Sequence, residues 1–337
     1  MNQMPIEQWP YTILHEISAP KTLKPWIYPI TIDPITDLFD EAYKNPPQSK
    51  KHFCAHLTNV YVNNGRVLNQ SMRDEIANFA NCGSLNTQKS NIKLNTAVHL
   101  IDKWGGTNYW HWMSICLAKM SMIDIKNLHP ETHFLVNSLN NEFVRGSLIK
   151  LGIDLSKCVE MDKHSCVFCQ TLIAPGPLGD RDREGLVFLR DNFRNLSTDP
   201  KNKIFISRQG TRKVQNEKEV MSYLKKLGFI HVQCESVNFN EQVNLFSSSS
   251  HVISPHGAGL TNLLFAHDNT KVLELRSPYY FGACYWKLCN HMNLPYYSLI
   301  GEGNFPKTVK DLNRSLNSDM TICLDKLEKT LALMHLA

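Results

Sequence analysis

Short apolar runs alternate with helical patterns through the second half of the chain. Lys203-Ile204-Phe205-Ile206, Ile230-His231-Val232, His251-Val252-Ile253 and Lys271-Val272-Leu273-Glu274-Leu275 have the length and β-branched content of buried strands. Glu184 to Phe193, Glu217 to Leu227, Asn240 to Ser247 and Leu260 to Phe265 read as the helices between them. Such alternation predicts a parallel, doubly wound α/β sheet. The first half is less regular. Leu57 to Val62 and Arg66 to Leu68 flank Asn63-Asn64-Gly65 and read as a hairpin. Ala97 to Ile101, His133 to Val136 and Val167 to Ala174 read as further strands, and Phe143 to Leu151 as a helix ended by Gly152. Met113, Cys116, Leu117 and Met120 recur at helical spacing, with Thr107 or Asn108 as the N-cap.

Pro175-Gly176-Pro177-Leu178-Gly179 is the strongest run of breakers and the expected boundary between two domains. The expected division is 1–179, 180–310 and a packing helix in 311–337. That helix carries Met320, Leu324, Leu327, Leu331 and Met334 on one stripe, read as packing on the body rather than on a membrane surface. Residues 1–50 show little periodicity, and Trp9, Tyr11, Trp26 and Tyr28 are expected to pin them down.

Composition narrows the partners. The 337 residues are 42% hydrophobic and 20% charged, enough to bury a sizeable core. A net charge of +5 is too mild and too scattered for a dedicated nucleic-acid binder, but suits an anionic small ligand or an anionic membrane face. Ten cysteines in a chain this long do not make a secreted-type framework. Met1 to Pro10 shows no signal pattern, and no run of about 18 apolar residues occurs. The expected location is the cytoplasm or its membrane surface, with the oligomeric state open.

Candidate chemistry gathers at strand ends. Val252-Ile253-Ser254-Pro255-His256-Gly257-Ala258-Gly259-Leu260 reads as strand, glycine turn and helix start. Such a turn aims unpaired N–H groups and the positive end of a helix dipole at one point, where a phosphate fits. Ser207-Arg208 and Arg212 follow one strand, His256 follows another and Glu274 lies in a third. In open α/β sheets ligands bind beyond the carboxyl ends of strands. Arginine forks match phosphate oxygens, and a carboxylate accepts from ribose hydroxyls. This set therefore points to a nucleoside diphosphate.

Ile206-Ser207-Arg208, Arg212, Asn216-Glu217, Gly228-Phe229, Phe239-Asn240-Glu241-Gln242, Leu245-Phe246, Ser254 to Asn262, Phe265 and Val272-Leu273-Glu274-Leu275 occur in that order. Upstream stand Asn108-Tyr109-Trp110-His111-Trp112 and Leu189-Arg190-Asp191. This series, across about residues 97–276, resembles glycosyltransferase family 61. The resemblance implies a GT-B architecture, two Rossmann-like domains facing across a cleft. It also implies a nucleotide-sugar donor, expected to be a UDP-sugar, held mainly by the second domain, a glycan acceptor, inversion at the anomeric carbon and no obligatory metal; no cofactor is expected. On this reading His111 is the base, and Asn108, Tyr109 and Trp112 meet the sugars. Arg208, Arg212, His256 and the amides of Gly257, Ala258, Gly259 and Leu260 stabilise the departing diphosphate. Ser207 lines the nucleotide and Glu274 holds its ribose. The sequence departs from the family where an acid is common four residues after the histidine, followed by Pro-Arg: it has Ile115 and Ala118-Lys119.

Some residues admit rival readings. A non-catalytic nucleotide- or glycan-binding protein draws support from Ile115. Asp180-Arg181-Asp182 has the D-x-D form of a metal site but lies in the Gly/Pro linker and reads as solvated. Cys158, His164, Cys166 and Cys169 have ligand chemistry, but a strand through Cys166-Val167-Phe168-Cys169 sends its two thiols to opposite faces. No Gly-x-Gly-x-x-Gly follows a strand, which argues against a nicotinamide enzyme.

Overall fold

The computed structural model describes residues 12–17, 29–33, 52–63, 66–69, 75–77, 92–162, 164–176, 183–195, 200–280, 282–303 and 316–336. The anchoring role of Trp9, Tyr11, Trp26 and Tyr28, the Asn64-Gly65 turn and the Asp180-Arg181-Asp182 reading lie outside these residues. The chain divides into two compact units: Met1–Leu23 with Gln48–Asn192, and Lys24–Pro47 with Phe193–Ala337.

The first unit is built on an eight-stranded mixed sheet. Its parallel part is β9 (Cys166–Pro175), β6 (Ile92–Leu100), β7 (His133–Val136) and β8 (Cys158–Glu160), side by side in that order. An antiparallel part extends it from β9 through β3 (His52–Asn63) to β4 (Arg66–Asn69) and β5 (Glu75–Ala77), with β1 (Thr12–Ile17) also on β3. The doubly wound, all-parallel sheet expected here is thus confined to the central and one outer part. Strand β6 shows why that part holds the site. Its amino end is partly exposed, but Ala97 to Leu100 are buried. It emerges from the core directly into Ile101-Asp102. The apolar face formed by Ala55, Leu57, Ala97, Leu172 and Ala174 supplies the core.

The second unit is parallel throughout, in the order β11 (Phe229–Val232), β10 (Asn202–Ile206), β12 (Ser249–Pro255), β13 (Lys271–Arg276), β14 (Tyr296–Ile300), β2 (Ile30–Thr31). Its last strand comes from far up the chain, so residues 24–47 belong to this unit rather than to the one before it. Asp33 fastens them. Its side chain is 2% exposed, accepts from the Ile300 amide at 2.6 Å and pairs with Lys326 at 3.0 Å. Replacing Asp33 by alanine would leave a buried amide without its acceptor. We expect a loss of about 2 kcal/mol in urea unfolding; an unchanged midpoint would show that the strand is not held this way.

Helices α1 (Glu142–Lys150) and α2 (Arg183–Phe193) come first in the chain. Helices α3 (Glu217–Lys226), α4 (Phe239–Ser247), α5 (Cys284–Met292) and α6 (Leu324–Leu333) follow in the second unit. Met320, Leu327, Leu331 and Met334 join that unit's core, so the terminal stripe packs inward as expected. The division falls after Asn192, beyond the breaker run, and the terminal helix is part of the second unit, not a separate piece. Among the described residues no helix is long and apolar enough to cross a membrane.

Candidate functional site

The second unit's strand order reverses between β10 and β12. The chain leaves β10 for β11 on one side, then returns to place β12 on the other. Strands that diverge in this way open a crevice at their carboxyl ends. Arg208 lies just beyond β10, and His256-Gly257 just beyond β12. The two loops meet there: Arg208 Nη1 donates to the His256 carbonyl at 2.9 Å, and its Nε donates to the Thr211 carbonyl at 2.8 Å. Gly257 makes the meeting possible. Its backbone is extended (φ 175°, ψ 169°), which any residue adopts. A Cβ, however, would overlap Arg208 Nη1 and come within 2.6 Å of Cζ.

Arg212 joins Arg208 from a left-handed backbone (φ 61°) unusual for a side chain of its size. Its guanidinium lies over the Tyr280 ring, 4.8 Å from the centroid, and its Nε is buried without a partner among the described residues. Burial and then Arg212 push the Arg208 guanidinium below its ordinary value. Two arginines share one partly dehydrated place, with no carboxylate bonded to either among the described residues. An anion there would be attracted by both.

After Gly257 the chain turns into 3₁₀ helix Ala258–Phe265. The Leu260 amide donates to the Gly257 carbonyl at 2.9 Å, closing the first turn. Leu260 is also fully buried. Its expected place among the phosphate-binding amides is therefore corrected: only Ala258 and Gly259 precede the first intrahelical bond. Gly259 packs close instead, since a Cβ there would lie 3.3 Å from Ile206 and 3.4 Å from Cys234 Sγ.

Glu274 is corrected as well. It is 0% exposed, one carboxylate oxygen meets His256 Nδ1, and the other accepts from the Tyr296 hydroxyl at 2.5 Å. The carboxylate is spent on the protein and presents nothing to a ribose. It fixes the His256 ring, which also packs against Tyr280 and Tyr285 at centroid distances of 4.1 and 5.0 Å. Burial lowers the His256 pKa; Glu274 opposes the shift, and Arg212 and Arg208 add to it. The imidazole is held neutral, with Nδ1–H toward Glu274, so positive charge at this site rests on the arginines. The Ser207 hydroxyl is likewise committed, donating to Glu217 at 2.8 Å, and Glu217 also holds His231 at 2.9 Å.

In the first unit the strand order reverses between β6 and β9. Just beyond β6, Asp102 receives His111: Nδ1 lies 2.8 Å from Oδ1. The chain returns to that point through the Gly105-Gly106 turn. Asn108 then caps the next helical turns, accepting from the amides of Trp110 at 3.0 Å and His111 at 3.3 Å. The expected cap is there, but the helix is not regular: an α turn at Tyr109–His111 runs into a π turn at Trp112–Cys116 and 3₁₀ turns at Leu117–Met122. Tyr109 and Trp112 are turned inward. Trp112 is 0% exposed and donates from Nε1 to Ser147 at 2.8 Å; Tyr109 is 8% exposed and packs on Phe143. Their expected role as sugar platforms is replaced by core packing. Lys119 is buried, and its ammonium donates to the Ile101 carbonyl at 3.0 Å.

Residues 109–273 match the family model described as Glycosyltransferase 61. This segment belongs to glycosyltransferase family 61. It holds His111, Arg208, Arg212, His256 and Gly257, and stops one residue short of Glu274. Beta-1,2-xylosyltransferase RCN11 of rice (Oryza sativa subsp. japonica) is 30% identical to the chain over 118 residues. That alignment covers 31% of this chain and 21% of the rice protein's length.

Sequence reasoning missed Asp102, Tyr280, Tyr285 and Tyr296. Asp102 carried a signal that went unused, as a lone acid just past a buried strand end. The tyrosines carried none: Tyr285 lies in α5 and Tyr296 in β14, neither of which the sequence announces, and Tyr280 lies in the loop before α5. Among the described residues no group of histidine, cysteine and acidic side chains is arranged to hold a metal. Cys166 and Cys169 do fall in one strand, β9, with Cys169 buried.

Proposed function

We propose that the chain is an inverting glycosyltransferase. It moves a sugar from a nucleoside-diphosphate donor, most simply a UDP-sugar, to a hydroxyl of a glycan acceptor. The observation that carries this is the meeting of Arg208 and His256-Gly257 at the strand reversal inside a family 61 segment. Two arginines and two free amides give a leaving diphosphate the donors it needs without a metal. The donor would lie on the second unit and the acceptor on the first, with the enzyme working in the cytoplasm or at its membrane face, in polysaccharide synthesis.

The acceptor oxygen bonds to the anomeric carbon from the face opposite the diphosphate and gives its proton to His111. The bond from that carbon to the diphosphate oxygen breaks, and its electron pair leaves with the nucleotide. Negative charge grows on the leaving oxygen through an oxocarbenium-like transition state. Arg208, Arg212 and the Ala258 and Gly259 amides meet it. His256, held neutral by its surroundings, anchors Arg208 through its carbonyl.

A second reading, a nucleotide- or glycan-binding protein without turnover, has one observation in its favour: Ile115 stands one turn beyond His111, where an acid could have served as base. UDP release from UDP-xylose, UDP-glucose and UDP-N-acetylglucosamine, with water as acceptor, decides between them. The rice relative's name makes UDP-xylose the first to try. We expect slow release, unchanged by EDTA and reduced about 100-fold or more in Arg208→Ala. Nucleotide binding with no release from any donor would leave the binding protein standing.

A further inference from the structure

We propose that Asp102 is the positioning residue that makes His111 a base, by fixing its imidazole with the proton on Nδ1 and the lone pair on Nε2. This rests on the glycosyl-transfer reading above and names the group that reading lacks.

An imidazole is a base only at the nitrogen that carries no proton, and the hydrogen bond at the other nitrogen decides which that is. Asp102 Oδ1 stands 2.8 Å from Nδ1. Facing a carboxylate, Nδ1 must be the donor, so Nε2 is left bare. The arrangement is lopsided in exposure: the His111 side chain is 29% exposed and that of Asp102 is 16%. The carboxylate stands behind and the imidazole in front.

Asp102 is itself held from two directions. Its amide donates to Asn137 Oδ1 at 3.1 Å, and Oδ1 accepts from the Trp104 amide at 3.4 Å. The turn that follows is locked by packing, since a Cβ on Gly105 would come within 2.5 Å of Cys116 Sγ, and one on Gly106 within 2.9 Å of the Asn137 Cβ. His111 is fixed through its own backbone by the Asn108 cap. Neither partner depends on a flexible stem. Burial alone would raise the Asp102 pKa, but the His111 bond and the Trp104 and Lys103 amides outweigh it, and the group stays an anion. When the acceptor proton reaches Nε2, the imidazolium that forms lies against that anion. The next residue on the same helical face, Ile115, offers no competing base.

The test uses the full chain and its Asp102→Asn, Asp102→Glu and His111→Gln variants. Three readouts are taken: UDP affinity by calorimetry, UDP release from the three UDP-sugars named above, and ¹⁵N spectra of histidine-labelled protein, with His111→Gln assigning the signal. UDP affinity should be unchanged in all variants. Asp102→Asn should lower kcat about 100-fold or more with KM held within about threefold, and Asp102→Glu should recover part of it. The His111 ring should show a protonated Nδ1 and a bare Nε2 in the wild type, and lose that preference in Asp102→Asn. A wild-type ring with its proton on Nε2 overturns the proposal. So does Asp102→Asn turning over at the wild-type rate, or Asp102→Glu falling as far as Asp102→Asn. A wild type that binds no UDP overturns the donor reading instead, a distinct result, because the ring spectrum still reports on the dyad.

Discussion

Gly257→Ala should leave a folded protein that has lost about 100-fold or more of its turnover. The backbone there is extended, so alanine meets no conformational penalty. What it meets is the Arg208 guanidinium, whose Cζ would lie 2.6 Å from the new Cβ. The far end of a flexible side chain gives way before the backbone does. Arginine would swing out, losing its bond to the His256 carbonyl and its place beside Arg212. The melting temperature should move little, while kcat with a UDP-sugar falls nearly as far as in Arg208→Ala. Adding Gly257→Ala to Arg208→Ala should then cost almost nothing more, since the methyl group has no guanidinium left to displace. Full additivity in that double-mutant cycle would place the glycine's role elsewhere, in direct contact with the donor.

The parallel core of the second unit was legible because its strands are buried on both faces. A strand covered by helices on each side must be apolar throughout, and Ile204 to Ile206 and Val252 to Ile253 are. Strand β2 was not legible, because its partner lies elsewhere in the chain: Asp33 and Ile300 are 267 positions apart. Nothing local marks a two-residue strand that exists only as an addition to an edge. The irregular turns at 109–122 were hidden for another reason. Helical spacing at Met113, Cys116 and Met120 reports which residues are buried, and α, π and 3₁₀ turns all bury one face.

The candidate site was legible to the same depth. Arg208, His256 and Gly257 follow strand ends, and a strand's carboxyl end has a known side of the sheet. His111 was found by its neighbours. Which way those neighbours face was not readable, and Tyr109 and Trp112 turned inward. Residue type says that an indole can stack on a sugar; only the register of the turn says whether it can reach one. Glu274 was misread for a related reason. An acid in the middle of an apolar strand implies a buried partner, and its partners came from His256 and from β14, a strand the sequence did not announce.

That buried partnership gives the largest expected effect on stability. Glu274→Ala should cost about 3–5 kcal/mol, because it strips the acceptor from two buried donors at once, the Tyr296 hydroxyl and His256 Nδ1. Glu274→Gln should cost about 1 kcal/mol: its carbonyl can still accept from Nδ1, and its amide can donate to the tyrosine oxygen. The sign of the pH dependence follows from the histidines. Burial, with Lys271 and Lys203 adding to it, holds His251 down at about 4, and burial lowers His256 as well. Both values lie below the 6.5 of an ordinary histidine. On acidification the unfolded chain therefore takes up protons that the folded chain refuses. Stability should be complete above about pH 6.5 and fall toward pH 4, by about 1–2 kcal/mol at pH 5 for His251 after allowing for its partial exposure. Urea unfolding of the wild type and both Glu274 variants, at about pH 8 and pH 5, measures all of this. Equal losses in the alanine and glutamine variants would mean that the negative charge, and not the pair of hydrogen bonds, is what this strand was built to bury.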